Sequence, residues 1–305
     1  MDTSGGSSES YSRRDVLKTG VLAAAGAAII PAPQQPTDPF AAPDGDTKNM
    51  HLSLAAYSMR GALDEGDMDM FDFIEWCGEL GLSGTELTSY YFEEGFDTRY
   101  LHELKRHAWR HGLTVSGTAI ANDFCLPPGD ERQQEIDHVI EWVENAGPLY
   151  APHIRIFAGD VPDGASREDA IDWVAECIEE VLVHAEEHGV MIGLENHGGI
   201  TARAEDHLAI CEAVGDNPWF GINLDTGNYR TNVYEELAMA APRSVNVQVK
   251  VRVHENDGTA VPADLGRVRD ILVDANYKGW VTLEYEEDSP REEIPKYVER
   301  MKELF

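Results

Sequence analysis

One unit of hydrophobic and polar residues repeats along the chain from about residue 50 onward. A helical stretch ends at a glycine, as at Gly81, Gly112 and Gly189, and an apolar segment follows directly. A glycine just after a helix, with a short loop into a strand, is typical of alternating α/β structure. The apolar segments predict eight strands, near residues 52–57, 83–88, 113–119, 153–158, 190–196, 220–225, 245–251 and 280–285.

Eight such units in about 255 residues match the size of a (β/α)₈ barrel. An open, doubly wound sheet is the alternative, but no GxGxxG pattern follows the first strand and six strands are commoner there. The clearest helix is predicted over 166–188, with Ser166 as N-cap and Glu168 and Asp169 in the first turn. The sequence therefore predicts an α/β protein, with a single (β/α)₈ TIM barrel over 50–305.

The strand predicted at 245–251 has two distinct faces. Valine occupies every odd position, and the even positions are Asn246, Gln248, Lys250 and, just beyond, Arg252. Because helices cover the outside of a parallel barrel, we expect the valines to face outward and the polar side chains to face the interior or the mouth. An antiparallel surface strand with a solvated polar face is the alternative interpretation.

The same period-two pattern directs acidic and amide side chains inward from four consecutive strands. These side chains are Glu195, Asp225, Gln248 and Glu284. Three ionised carboxylates in a water-poor site need a cation, and oxygen-only ligands favour Mn²⁺, with Mg²⁺ or Co²⁺ as alternatives, over zinc. The alternative is that the acids pair with Lys250, Arg252 or Arg155 instead of a metal.

Four short motifs carry a resemblance to a known family. They are Leu194-Glu195-Asn196-His197-Gly198-Gly199, Asp225-Thr226-Gly227-Asn228, Gln248-Val249-Lys250 and Leu283-Glu284-Tyr285. In this order and spacing they resemble the metal motifs of the xylose isomerase-like TIM-barrel proteins, the sugar phosphate isomerases and epimerases. The resemblance covers residues 50–305.

The resemblance implies roles for individual residues. Glu195, Asp225, Gln248 and Glu284 are expected to bind the divalent metal. Glu195 and Glu284 are also expected to be catalytic, exchanging protons with opposite faces of a substrate carbon while the metal chelates neighbouring oxygens and stabilises an enediolate. Two positions depart from the family pattern: Gln248 and Asn228 stand where many members have histidine.

Further residues are candidates for binding substrate. His197 and Lys250 lie two positions beyond Glu195 and Gln248 on the same faces, and Arg155, Glu86 and Asn228 complete the predicted set. Structural roles are the alternative: His197 capping its loop, and Lys250 and Arg155 balancing buried acids.

The function expected from this site is metal-dependent isomerisation or epimerisation of a sugar or sugar phosphate, by proton abstraction next to a carbonyl. A dehydratase or lyase of a keto-sugar, an inosose or a 3-keto-glycoside is the first alternative, since it shares the first half-reaction. A non-catalytic sugar-binding barrel is the second, because fold alone does not establish activity.

The amino-acid composition limits which kinds of partner the protein is expected to bind. With 24 Lys and Arg against 56 Asp and Glu, the net charge is −32, which argues against binding nucleic acid or anionic membranes. An acidic, lysine-poor composition resembles proteins of salt-loving microbes, and an ordinary acidic protein is the alternative.

The four cysteines show no CxxC spacing, so a disulfide framework is not expected. The oligomeric state stays open, a homo-oligomer included.

The first 45 residues are expected to be a targeting segment. Arg13-Arg14 precede the apolar run 21–30 and a stretch rich in Pro, Gln and Asp, which resembles a twin-arginine export signal with a disordered linker. The apolar run is shorter than the roughly 20 residues of a spanning helix, so no stable membrane anchor is expected. Export to the extracellular, periplasmic or cell-surface side follows as an expectation.

Overall fold

The computed structural model describes residues 50–305, so the predicted twin-arginine signal and linker at 1–45 lie outside the described residues. Eight parallel strands of this part form a barrel: β1 His51–Ala55, β2 Gly84–Thr88, β3 Thr114–Ala119, β4 His153–Ile156, β5 Met191–Glu195, β6 Phe220–Asp225, β7 Ser244–Val249 and β10 Trp280–Leu283. The barrel closes in the order β1-β10-β7-β6-β5-β4-β3-β2. All eight predicted strands are confirmed, with bounds that differ by at most two residues.

Helices lie between the strands and cover the outside of the barrel. They are α1 Arg60–Glu65, α2 Met70–Glu79, α3 Thr98–Arg110, α4 Asp130–Leu149, α5 Arg167–His188, α6 Ala204–Val214, α7 Val233–Ala240, α8 Leu265–Asp274 and α9 Pro290–Leu304. The predicted cap of α5 is confirmed, because the Ser166 side chain accepts a hydrogen bond from the Asp169 backbone N–H. In residues 50–305 no helix combines the length and apolar character that crossing a membrane requires.

The two faces predicted for β7 are also confirmed. Val247 and Val249 are fully buried beneath the helices, whereas Asn246 and Gln248 contact other side chains inside the barrel. Beyond Val249 the chain leaves the barrel. A short antiparallel hairpin that the sequence analysis did not predict follows, formed by β8 Arg252–His254 and β9 Ala260–Pro262. Arg252 therefore lies in this hairpin, where its guanidinium donates to the carbonyl of Ala260.

The cysteines agree with the sequence analysis. Cys77, Cys125, Cys177 and Cys211 are all free and buried. Burial raises the pKa of the Cys77 and Cys211 thiols to about 12, which keeps them protonated and unreactive at neutral pH.

Close packing inside the barrel leads to one stability prediction. A Cβ at Gly117 on β3 would lie 1.9 Å from the imidazole Cε1 of His153, which is itself buried on β4. We expect Gly117→Ala to lower the free energy of unfolding by about 2–3 kcal/mol, because the barrel interior cannot accept the added methyl group without displacing that ring. Gly61→Ala in α1, where a Cβ meets nothing within 4 Å, is the matched control and should stabilise by about 0.5–1 kcal/mol. Urea unfolding of both variants checks this, and equal effects would contradict it.

A buried histidine in the helical layer around the barrel leads to a second prediction. His207 on α6 is fully buried with Nδ1 3.3 Å from the Tyr229 hydroxyl, and burial lowers its pKa from 6.5 to about 4. The unfolded chain takes up the proton near pH 6.5 and the folded protein does not, so stability is complete above pH 6.5 and falls as the pH drops toward 4. Between pH 7 and 5 we expect the wild type to lose about 2 kcal/mol more than His207→Gln in urea unfolding. Equal losses of unfolding free energy in the wild type and in His207→Gln would show that His207 does not contribute to the pH dependence of stability.

Candidate active site at the barrel mouth

The barrel interior is unusually polar one layer below the mouth. Gln248 Nε2 donates to Glu86 Oε1 at 2.7 Å, and Asn246 Nδ2 donates to Glu86 Oε2 at 3.1 Å. Asn223 Nδ2 donates to Gln248 Oε1 at 2.7 Å, and Asn246 Nδ2 also donates to Asn223 Oδ1 at 2.7 Å, which closes the network. All four side chains are buried, and burial raises the pKa of Glu86 to about 7. The structure therefore places Glu86 in a sealed layer below the mouth.

Above this layer, three acids lie at the ends of neighbouring strands. Glu195 ends β5, Asp225 ends β6 and Glu284 follows β10, and all three are at most 5% exposed. Since β5, β6, β7 and β10 are consecutive in the barrel, their carboxyl ends share one side of the mouth. The sequence pattern thus located these acids correctly at the C-terminal end of the barrel.

Local hydrogen bonds hold the strand ends in register. The Asn196 side chain donates to the Asp225 carbonyl at 2.8 Å and accepts from the Asp225 N–H at 2.9 Å, which ties the end of β5 to β6. Thr226 Oγ1 accepts from the Lys250 N–H at 2.9 Å, and the Glu284 N–H donates to the Val249 carbonyl at 3.0 Å. These bonds fix the backbone that carries the acids, so the side chains start from defined positions.

Two buried cations contact the acids. Lys250 Nζ lies 2.5 Å from Glu284 Oε2, 3.3 Å from Asp225 Oδ2 and 2.8 Å from Glu286 Oε1. On the other side, Arg155 Nε lies 2.9 Å from Glu195 Oε2. Side chains that the sequence analysis offered as charge-balancing partners are therefore in contact with the acids.

The electrostatic balance differs from one acid to the next. Burial raises the pKa of Glu195 well above its ordinary value although Arg155 opposes this, and burial raises that of Asp225 to about 7. Burial acts in the same direction on Glu284, but the Lys250 ammonium outweighs it and holds that pKa below its ordinary value. At neutral pH the site thus holds one firmly ionised carboxylate beside two that bind protons more readily.

A cavity of about 330 Å³ opens at this mouth. It is lined by Tyr57, Tyr90, Arg155, Phe157, Glu195, His197, Asn228, Arg230, Lys250, Glu284 and Glu286. Its size suits a small polar molecule, and its lining offers donors and acceptors on every side.

Sequence comparison places the chain in a family. The family described as Xylose isomerase-like TIM barrel matches residues 74–304. The chain belongs to this family. No curated protein matches the chain.

Solved structures of xylose isomerase-like and epimerase proteins share the fold at low identity. D-psicose 3-epimerase from Clostridium cellulolyticum H10, with D-tagatose, is 15% identical with a TM-score of 0.68, covering 83% of this chain and 98% of that one. The 3-keto-D-glucoside 4-epimerase YcjR from E. coli is 14% identical with a TM-score of 0.64, over 84% and 100%. The probable 3-DHS dehydratase AsbF from Bacillus anthracis is 17% identical with a TM-score of 0.64, over 83% and 98%. At these identities the likeness establishes the fold of this family member and no more.

Most residues predicted at the site from sequence line the cavity. Six do so, namely Glu195, Glu284, His197, Lys250, Arg155 and Asn228. Asn228 Nδ2 donates to Glu195 Oε1 at 3.0 Å, and the His197 ring stacks on Phe157 with centroids 4.0 Å apart. Asp225, Gln248 and Glu86 are buried below the lining. The catalytic, metal-binding and substrate-binding roles assigned to these residues stay predictions.

Several lining residues were missed from sequence. Phe157 and Glu286 each lie two positions beyond a predicted residue, so extending the period-two pattern past the strand ends would have found them. Tyr90 had no such signal: it lies in a short 3₁₀ turn after β2, and its hydroxyl is 3.3 Å from both terminal nitrogens of Arg155. Only the tertiary structure brings it to the cavity.

The oxygen donors at the site are of the type that a hard divalent ion prefers, but they do not converge on one point in this arrangement. Asp225 Oδ1 accepts from the Gly227 N–H at 2.8 Å, whereas Asp225 Oδ2 is buried without a hydrogen-bond partner among the described residues. Within residues 50–305, Glu195, Asp225 and Glu284 do not all place a ligand oxygen within 4.8 Å of one another. Lys250 supplies positive charge to Asp225 and Glu284 in this arrangement. Gln248 is engaged with Asn223 and Glu86, so its oxygen would have to leave Asn223 to bind an ion.

Proposed function

We propose that this family member is a divalent-metal-dependent isomerase or epimerase of a sugar or sugar phosphate. One observation carries the proposal: two buried carboxylates, Glu195 and Glu284, face one cavity from strands three places apart in an eight-stranded barrel. Both strand ends lie on the same side of the mouth, but because they are three strands apart the two carboxylates would approach a bound molecule from different directions. A pair so placed can remove a proton from one face of a carbon and return it to the other.

Neighbouring side chains influence the orientation and the protonation of the two carboxylates. Arg155 and Asn228 each contact one oxygen of Glu195, which fixes the plane of its carboxylate. Lys250 contacts Glu284 and keeps it ionised, so Glu284 is the proposed base and Glu195, which binds protons readily, is the proposed acid. In the reverse direction the two exchange roles.

The proposed metal is Mn²⁺, held by Glu195, Asp225 and Glu284, with Gln248 as the predicted fourth ligand. When bound, it would polarise the substrate carbonyl and so acidify the adjacent C–H. The oxygen-only donors support this assignment, and Asp225 Oδ2, which makes no hydrogen bond and faces only the Lys250 ammonium among the described residues, is the oxygen most readily transferred to an ion.

A dehydratase or lyase is the second candidate, and the Lys250 ammonium favours it. Lys250 lines the cavity beside Glu284, so its ammonium can hydrogen-bond to an oxygen that leaves the carbon next to the carbanion, while Glu195, the proposed acid, supplies the proton to that oxygen. The C–O bond then breaks, the electron pair forms a C=C bond, and water or an alcohol departs. The similar structures include a probable dehydratase as well as epimerases, which supports keeping both candidates.

Solvent-deuterium exchange tests the proposal and separates the candidates. The purified chain with Mn²⁺ in D₂O would be incubated with ketoses, inososes and 3-keto-glycosides, and the products followed by mass spectrometry and NMR. An isomerase or epimerase incorporates deuterium and retains the carbon and oxygen skeleton, whereas a lyase releases water or the aglycone. Protein treated with a chelator is the control. Binding of sugar without any exchange would contradict the enzyme and support a sugar-binding barrel.

We also propose export by the twin-arginine route, which rests on Arg13-Arg14 and the apolar run that follows. Replacing both arginines by lysine should leave the chain in the cytoplasm while the wild type is exported, as cell fractionation would show. Equal export of the two proteins would overturn this proposal.

A further inference from the structure

A second cluster of potential metal ligands lies on the outer face of the barrel, away from the mouth. Glu75 is on α2, His107 is on α3, and His111 follows the last residue of α3. His107 and His111 are four positions apart, so both imidazoles lie on one face of the helix. Within residues 50–305 this is the one group of three His, Cys, Asp or Glu side chains whose ligand atoms all lie within 4.8 Å of one another.

The distances within the cluster are short. Glu75 Oε1 lies 3.1 Å from His107 Nε2 and 3.8 Å from His111 Nε2, and the two imidazole centroids are 4.6 Å apart. His107 Nε2 is buried and makes no hydrogen bond to any described residue, since its contact with Glu75 lacks hydrogen-bond geometry. This unpartnered ring nitrogen thus lies close enough to a carboxylate oxygen and to a second imidazole nitrogen for one ion to contact all three.

The packing of α2 against α3 preorganises these side chains. A Cβ on Gly78 of α2 would lie 3.2 Å from the His111 carbonyl oxygen and 3.3 Å from its Cβ, so the absent side chain lets the helices approach closely. Phe71 packs edge-on against the His107 ring, with centroids 5.2 Å apart at 88°. Phe71 therefore restricts the His107 ring, and the close approach at Gly78 fixes the position of the backbone that carries His111.

We propose that Glu75, His107 and His111 form a Zn²⁺ site that joins α2 to α3. Two imidazole nitrogens and one carboxylate oxygen are a ligand set that zinc prefers, and a fourth position stays free for water because the cluster is partly exposed. The hard oxygen donors at the mouth are of a different class, so the two sites differ in metal preference.

The site is at the opposite end of the barrel from the proposed active site. His111 comes three residues before β3 begins at Thr114, whereas the mouth lies at the carboxyl ends of the strands. A bound ion would link two neighbouring helices of the outer layer without touching the cavity. Its expected effect is on stability.

Titration of metal-free protein with Zn²⁺ tests the site. Calorimetry measures the binding, and thermal unfolding measures the change in Tm. We expect a zinc-binding event in the wild type that raises Tm by about 5 °C at a hundredfold excess over Kd. It should be absent from His107→Gln/His111→Gln. It should be retained in His102→Gln, which alters an exposed histidine of the same helix, and in Asp225→Asn, which alters the mouth.

Cobalt gives an independent readout. Co²⁺ in place of Zn²⁺ should produce the intense visible absorption of a four-coordinate ion in the wild type and in His102→Gln. Glu75→Gln keeps both imidazoles and nearly the same shape, so it tests the site if the double variant fails to fold, and it should weaken binding. An unchanged Tm shift in the histidine variant, or unchanged affinity in Glu75→Gln, would overturn the proposal.

Discussion

Replacing Glu284 by glutamine is expected to slow solvent-deuterium exchange at the substrate carbon by about 10²–10⁴-fold. The glutamine side chain has nearly the same volume but cannot accept the proton, and Lys250 would lose the carboxylate it now contacts at 2.5 Å. Because Glu284 lines the cavity rather than filling the core, the protein should still fold and bind ligand. Since glutamine keeps an oxygen for the proposed ion, the loss measured at saturating Mn²⁺ should fall mainly on kcat.

The matched control is Glu186→Gln, an exposed acid on α5 far from the mouth. It removes the same charge from a protein with net charge −32 and should leave exchange unchanged. Glu195→Gln should resemble Glu284→Gln, since both carboxylates are needed to pass a proton across the carbon. Exchange at the wild-type rate in Glu284→Gln would rule out its role as the base.

Lys250→Gln is expected to have the largest effect on stability. The ammonium contacts Asp225, Glu284 and Glu286, and Lys250 is only 8% exposed. Removing it leaves buried carboxylates without their cation, which costs about 3–5 kcal/mol of unfolding free energy when one partner of a buried pair is deleted. Urea unfolding of chelator-treated protein would measure the loss.

Added Mn²⁺ distinguishes this effect from simple damage to the packing. If the same carboxylates bind the ion, Mn²⁺ should restore a large part of the stability of Lys250→Gln. Lys296→Gln is the control, because Lys296 pairs with Glu293 on an exposed face of α9, and surface pairs contribute only about 0–1 kcal/mol. Equal losses in the two variants would contradict the role assigned to Lys250.

Local pattern was enough to predict the barrel. Each strand is short, apolar and bounded by a helix end, and the alternation at 245–251 assigns the two faces of β7 because successive side chains in a strand point in opposite directions. The same rule located Glu195, Asp225 and Glu284 at the carboxyl ends of neighbouring strands. The hairpin after β7 was missed because its alternation continues that of the strand without a break.

The sequence pattern could not predict which side chains pair across the barrel. An inward position does not say how deep a side chain lies or which partner it meets. Glu86 and Gln248 share an inward face with the predicted site, yet they bond to each other across the barrel, 162 positions apart in sequence. The distances from Glu75 to His107 and His111 likewise depend on how closely α2 and α3 pack.

The sequence by itself determined the number and order of the strands, the faces of β7 and the end of the barrel where the acids meet, since these follow from periodicity and chain direction. Only the tertiary structure decided that Lys250 and Arg155 contact the acids and that Tyr90 joins the cavity. It alone showed that Gln248 contacts Glu86 and Asn223 and that a second ligand cluster lies between α2 and α3. These contacts join residues far apart in sequence, and their distances depend on packing that no local pattern contains.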